Sequence, residues 1–180
     1  MMKKLALSLV LFLTLFFTIP VFYLINSQQQ ITITDKKVVY ELPYPGLLPD
    51  HPLYIMKAVR DRILDFFTRD NLKKAELYLL FSDKRAKMAE QLAKRGKSKL
   101  AISTFSKGEK YFLKIVDHVK QAKQQGKAPL ADLVEKLRQS NAKHRAVLNQ
   151  LLKDLPQGEQ EGLSEVMRIN EEIRVGLDAL

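Results

Sequence analysis

Residues 98–124 read SKLAISTFSKGEKYFLKIVDHVKQAKQ. Ala101, Phe105, Phe112, Ile115, Val119 and Ala122 recur at intervals of three, four and seven. That spacing lines one stripe of an α-helix and not one face of a strand. Ser98 stands where a side-chain oxygen can cap the first turn, and Gly126 where the chain can leave the last one. Gly108 falls in mid-run, at a cost of about 1 kcal/mol relative to alanine. Either a close helix crossing or a break in the helix accounts for it.

The same periodicity extends outward in both directions. Upstream, Asp70 can cap a helix running to about Arg95, with Leu72, Ala75, Leu79, Ala86, Ala89 and Ala93 as its main stripe. Leu80, Met88 and Leu92 widen that stripe, and Gly96 ends the helix. Before it, Asp50 can cap a shorter helix to about Phe67, with Pro52 in its first turn. Leu53, Met56, Val59, Ile63 and Phe66 share one face of that helix. Downstream, a helix from near Pro129 to about Leu155 would turn Leu130, Val134, Leu137, Leu148 and Leu151 inward. After the Pro156-Gln157-Gly158 turn, a last helix from about Glu159 to Leu177 uses Leu163, Val166, Met167, Ile173 and Leu177. Long helices joined by short connections predict an antiparallel, up-and-down bundle of four to five helices. The fold class is therefore all-α, with a bundle domain over residues 51–180.

The beginning of the chain has a different character. Behind Lys3 and Lys4, Leu5 to Ile25 is a 21-residue run without a charge. As a helix it would be about 31 Å long, enough to span a bilayer core of about 30 Å. The basic start favours an inside N-terminus and sends the remainder outside. Residues 1–27 are thus an N-terminal transmembrane helix acting as an anchor or, alternatively, a cleaved signal segment. The run exceeds the usual signal core and lacks an A-x-A site, although Ile25-Asn26-Ser27 is a weak candidate. Both readings place the bundle outside the cytoplasm, on a single-pass membrane protein or on a protein secreted after cleavage. Residues 28–50 form an extended stalk and a turn, because the prolines of VVYELPYPGLLPD (38–50) restrict both themselves and their predecessors.

Residues 43–55, PYPGLLPDHPLYI, continue through Lys57, Arg62-Ile63, Asp70, the Lys73-Lys74-Ala75-Glu76-Leu77 run, Ala86 and Met88-Ala89. This order resembles the bacterial and archaeal domain family DUF5667 over about residues 43–125. The resemblance implies an extracytoplasmic helical domain and no known reaction. His51 stands where the family pattern usually has serine, so a capping role of that serine would pass to Asp50. Pro45, Gly46, Pro49, Asp50, Pro52 and Tyr54 make up a structural turn. Leu47, Leu48, Leu53 and Tyr54 offer apolar anchors that could clamp it to the bundle.

Catalytic patterns are missing. With no cysteine there is no disulfide, thiolate metal site or cysteine nucleophile. His51, His118 and His144 form no metal-ligand spacing, and each reads as an ordinary surface or boundary residue. Ser103, Thr104 and Ser106 near Lys107 read as helix surface. No cofactor or metal is expected, and no enzymatic activity.

Charge is more informative. Residues 84–127 hold thirteen basic against three acidic residues, an excess of ten that equals the net charge of the whole chain. Residues 154–180 hold seven acidic residues against Arg168 and Arg174. The acidic helix could pack near the basic pair and balance it. Alternatively, Lys87, Lys94, Arg95, Lys97, Lys99, Lys107, Lys110 and Lys114 form an anion-binding surface for lipid headgroups or anionic envelope polymers. Nucleic acid is disfavoured, because the mixture of arginine and aromatic residues suited to strand readout is missing. The expected role is a membrane-anchored interaction or scaffold module of the cell envelope with an envelope-protein partner. The alternatives are a lysine-rich binder of anionic polymer or lipid and, behind it, an enzyme with an unrecognised site.

Overall fold

The computed structural model describes residues 40–180. The stretch from Leu5 to Ile25, and most of the stalk, lies outside the described residues. Five α-helices follow the turn: α1 (Tyr54–Phe67), α2 (Asn71–Lys94), α3 (Ser98–Gln124), α4 (Ala131–Asp154) and α5 (Gln160–Asp178). A short 3-10 turn, Gln157–Glu159, leads into α5. No strand occurs among the described residues. The all-α bundle is therefore as the periodicity predicts.

The ends of these helices follow local chemistry. Asp70 caps α2, its Oδ1 accepting from the backbone N–H groups of Leu72 (3.0 Å) and Lys73 (3.1 Å). Gly96 and Gly126 end α2 and α3 at φ of 71° and 75°, a left-handed conformation that costs glycine least. Two expected caps are not made. Ser98 is the first residue of α3, preceded by Lys97, and no side chain caps that end. Asp50 does not cap α1, which begins at Tyr54 after Leu53. The three intervening residues, Pro52 among them, separate Asp50 from the helical N–H groups. Its carboxylate turns instead to Lys97 (2.8 Å) and Arg95 (3.2 Å).

Helices α2 to α5 make the body. The beginning of α2 meets the end of α3, where Asn71 bonds His118 and Gln125, so these two run antiparallel. α4 and α5 are antiparallel as well, joined by Asn141–Asn170 and Arg138–Leu177 contacts. Gly162 lies against Ile102 and Gly176 against Val116, which makes α3 and α5 parallel neighbours. Asp83 meets Ser140 and His144, while the cleft beyond them brings Lys94 near Asp154, so α2 and α4 are parallel too. Successive helices alternate in direction, but α3 and α4 face each other across the centre. Two of the side-by-side contacts are therefore parallel, which loop length alone does not predict.

Gly108 marks the close crossing of α2 and α3, and α3 runs through it unbroken. A Cβ there would lie 3.1 Å from Arg85 Cβ and 3.3 Å from Ser82 O. Ser82 Oγ donates to the Gly108 carbonyl at 2.9 Å across the same contact.

Two apolar clusters fill the bundle. One joins Leu48, Met88, Leu92, Phe105, Leu148 and Leu163 among others. The second joins Leu79, Phe112, Ile115, Leu137, Ile173 and Leu177. The stripe assigned to α3 is buried throughout, and those of α2 and α5 are buried except for the half-buried Leu72, Leu80, Ala93 and Met167. In α4, Leu137, Leu148 and Leu151 are buried, but Leu130 is exposed because α4 begins one residue after it.

α1 departs from expectation in orientation. Leu53, Met56, Val59 and Phe66 do share a face, but that face is turned to solvent. α1 holds the body with its opposite side, through Asp61 and Asp65 and the half-buried Tyr54 and Leu64. Asp61 is buried and lies 2.8 Å from Arg60 and 4.0 Å from Arg85. Asp65 accepts from Tyr78 OH at 2.6 Å and lies 3.4 Å from Lys74.

Candidate functional site

The two apolar clusters are separated by a layer of buried polar side chains. Asp83 of α2, Glu109 of α3, Ser140 and His144 of α4, and Asn170 of α5 are each 2% exposed or less. Asp83, Glu109 and Asn170 each lie between apolar residues one turn away on their helices, and Ser140 and His144 form an adjacent pair between Leu137 and Leu148. His144 is the hub. Its Nδ1 lies 2.6 Å from Glu109 Oε1 and its Nε2 lies 3.0 Å from Asp83 Oδ1. Ser140 Oγ donates to Asp83 Oδ1 at 2.6 Å, and Tyr40 OH donates to Asp83 Oδ2. Asn170 Nδ2 donates to Glu109 Oε2 and to the Asn141 carbonyl, both at 3.3 Å. Phe105 and Phe112 stand edge-on to the imidazole from the two sides, with ring centres 5.7 and 5.5 Å away.

Burial opposes a charge on His144, but the Glu109 charge and the ring's hydrogen bonds to both carboxylates outweigh it and raise its pKa to about 9. At neutral pH the ring is an imidazolium donating from both nitrogens, so neither nitrogen has a lone pair for a metal or for a substrate proton. The layer is sealed and its hydrogen bonds are mutually satisfied. Chemically it fixes the register of four helices and holds charge out of water. Sequence alone gives little sign of it, since between Lys143 and Arg145 His144 reads as a boundary residue. Those neighbours point elsewhere on the helix, and only His144 faces inward. The usable signal is positional: four helices each carry a polar residue at a stripe position, Asp83, Glu109, Ser140/His144 and Asn170.

The basic residues predicted as an anion surface are spread over several environments. Lys87 and Lys94 both reach Glu90, at 2.8 and 2.7 Å. Arg95 and Lys97 both hold Asp50 of the turn. Lys114 lies over the rings of Tyr78 and Tyr111, 5.9 and 5.6 Å from their centres. Lys99, Lys107 and Lys110 are exposed on α3 and make no ion pair among the described residues. The acids of α5 are taken up largely on that helix. Arg168 pairs with Glu165 and Glu172, and Arg174 with Glu171 and Asp178. An open cleft of about 830 Å³ lies between α2 and α4, lined by Leu42, Lys87, Glu90, Lys143, Val147 and Asp154 among others.

The turn is organised as a clasp. Pro45 and Leu48 are buried, and Gly46 takes φ 69°. The Pro45 carbonyl accepts from Lys57 Nζ at 2.5 Å. Burial in this clasp is the main reason that the Lys57 pKa falls to about 8. His51 Nδ1 accepts from Leu53 N–H at 3.2 Å, and Leu48 O accepts from His51 N–H at 3.0 Å. Of the apolar anchors, Leu48 is buried and Tyr54 half-buried, whereas Leu47 and Leu53 are exposed, and so is Pro52. The His51 bond stays within the turn, and no side chain, of His51 or of Asp50, caps α1.

These features define a helical bundle with a closed polar centre, entered through a proline- and glycine-bearing clasp. The family model described as Domain of unknown function (DUF5667) matches residues 46–158. The chain belongs to the DUF5667 family. No curated protein and no solved structure matches it. Among the described residues, no helix is long and apolar enough to cross a membrane, and no group of three or more potential ligands could hold a metal ion.

Proposed function

We propose that the protein is a membrane-tethered interaction module that displays a helical bundle outside the cytoplasm, with an envelope protein as its partner. The observation that carries this reading is the distribution of its titratable groups. Those brought together, Asp83, Glu109 and His144, are enclosed and satisfied by one another. Those facing solvent are spread along helix faces. That distribution suits a rigid body offering surfaces and assigns no reaction to the chain. The tether rests on the charge-free run from Leu5 to Ile25 behind Lys3 and Lys4. A reporter fused after residue 40 is expected to be active only outside the cytoplasm. Activity inside the cell would overturn the topology, and loss of the N-terminal run from the mature chain by mass spectrometry would replace the tether with secretion.

A second reading has its own support. Lys99, Lys107 and Lys110 project from α3 outside any salt bridge among the described residues, Lys110 acting only at longer range on Glu165, while Glu165, Glu171, Glu172 and Asp178 of α5 are paired with arginines. This strip suits an anionic envelope polymer or lipid headgroup. K99E/K107E/K110E should abolish sedimentation with such a polymer and leave folding unchanged, because no ion pair is broken. Undiminished binding would exclude the strip. Lys94 and Lys97 are poor choices for this test, since reversing them also breaks contacts to Glu90 and Asp50.

A further inference from the structure

α1 is an amphipathic helix that has its polar face docked and its apolar face outward. At about 100° per residue, Ile55, Phe66, Val59, Ile63, Met56 and Phe67 fall within about 120° of arc. Ile55, Met56, Val59, Phe66 and Phe67 are 72%, 51%, 53%, 74% and 73% exposed. The opposite side carries Tyr54, Lys57, Asp61 and Asp65, which hold the clasp and α2. Both acids of α1 are therefore turned into the body. The outward arc is bordered by cations, with exposed Arg62 on one side and half-buried Arg60 on the other.

We infer that this face of α1 lies in the headgroup and upper acyl region of a lipid bilayer and lays the bundle on the membrane surface. An apolar arc bordered by arginines and free of acids is the pattern of an interfacial helix. The length of chain outside the described residues supports the same occupant. Only fourteen residues separate Ile25 from Tyr40, a reach of at most ~50 Å. A chain anchored by Leu5–Ile25 thus keeps α1 within reach of lipid. A second copy of the chain fits less well. Fourteen helical residues make a strip about 21 Å long and ~10 Å wide. That is a few hundred Å², short of the roughly 800 Å² per partner of a stable interface. The inference rests on the tethered reading above and adds a second, reversible contact to it.

The chain contains no tryptophan, which allows a site-specific probe. Val59→Trp places one indole on the outward arc, and Lys136→Trp places one on the exposed side of α4 as a control. The full-length variants are reconstituted in vesicles of phosphatidylcholine and phosphatidylglycerol, with and without acyl-brominated phosphatidylcholine. The expected result is blue-shifted emission from Val59→Trp that loses most of its intensity in brominated vesicles, while Lys136→Trp emits as in water and is unquenched. Equal, solvent-like emission from both variants, in chains that still float with the vesicles, would overturn the inference and leave the tether intact. Chains that neither float nor show quenching would remove both. Blue-shifted but unquenched Val59→Trp, in particles of doubled protein mass, would assign the face to a second copy and also overturn the inference.

Discussion

His144 is the group whose removal tests the buried layer most directly. Its pKa of about 9 in the folded chain, against an ordinary value of 6.5, means that folding strengthens its hold on a proton. Such a group adds stability that is complete below about pH 6.5 and is lost as pH rises through about 9. The difference corresponds to ~3 kcal/mol. Urea denaturation of residues 40–180, which form one compact unit, should therefore show a His144 contribution, read as the native chain minus H144Q, that falls by ~3 kcal/mol between pH 6 and 9.5. H144Q should lower stability at pH 6 by ~3–5 kcal/mol, because Asp83 and Glu109 then share a buried site without a cation. It should also lack the falling limb. Lys57 acts in the opposite sense: its pKa is depressed to about 8, so it adds stability as pH climbs from 8 towards 10.5. The difference between the native chain and H144Q isolates the histidine from that contribution. A native-chain stability that is flat from pH 6 to 9.5 relative to H144Q, or an imidazole resonance titrating below 6.5 that disappears in H144Q, would refute the charged pair of contacts.

Other perturbations test the packing. Gly108→Ala gains about 1 kcal/mol of helix propensity but drives a Cβ to 3.1 Å from Arg85 and 3.3 Å from the Ser82 carbonyl; a net loss of ~1–2 kcal/mol is expected, and a raised urea midpoint would show that α2 and α3 do not cross so closely. Phe105→Ala, at a fully buried position beside His144, should cost ~3–5 kcal/mol in the same assay. Lys57→Met should abolish the rising limb of stability above pH 8, and its persistence would assign that limb to another group.

Much of the fold is legible in the sequence because four helices have one-sided stripes and their ends have glycine or aspartate chemistry. Asp70, Gly96 and Gly126 do what their residue types favour. Ser98 and Asp50 show the limit of that logic. A competent capping side chain forms a cap only if the helix begins beside it, and Asp50 finds Lys97 and Arg95, some forty-five residues away, instead. The buried layer was hidden for a related reason. Asp83, Glu109 and His144 are unremarkable one at a time, and only their meeting across three helices makes each tolerable in the core. Tertiary pairing of this kind has no local period. The scatter of the lysines has the same origin, since adjacency along α2 and α3 says nothing about the acids that arrive from the turn or from the same helix.

α1 poses the sharper question of why an amphipathic helix should dock by its polar side. Periodicity identifies the two faces but not which of them the body accepts. The body supplies the answer, because α2 to α5 contribute nearly all the buried residues of both apolar clusters and take from α1 only the half-buried Leu64 and Tyr54. What α2 offers on its outer side is Arg85, which caps the Phe81 carbonyl and stacks 4.5 Å from the Tyr111 ring, together with Lys74 and Tyr78. Those groups select Asp61 and Asp65. Leaving large apolar side chains in water forgoes ~1.5–3 kcal/mol for each one that could be buried. Across Ile55, Met56, Val59, Phe66 and Phe67 that sum exceeds the modest net contribution of the buried Asp61–Arg85 and half-buried Asp65–Lys74 pairs. The orientation of α1 is therefore a poor solution for an isolated bundle in water, and a good one for a bundle whose outer helix meets a second apolar phase.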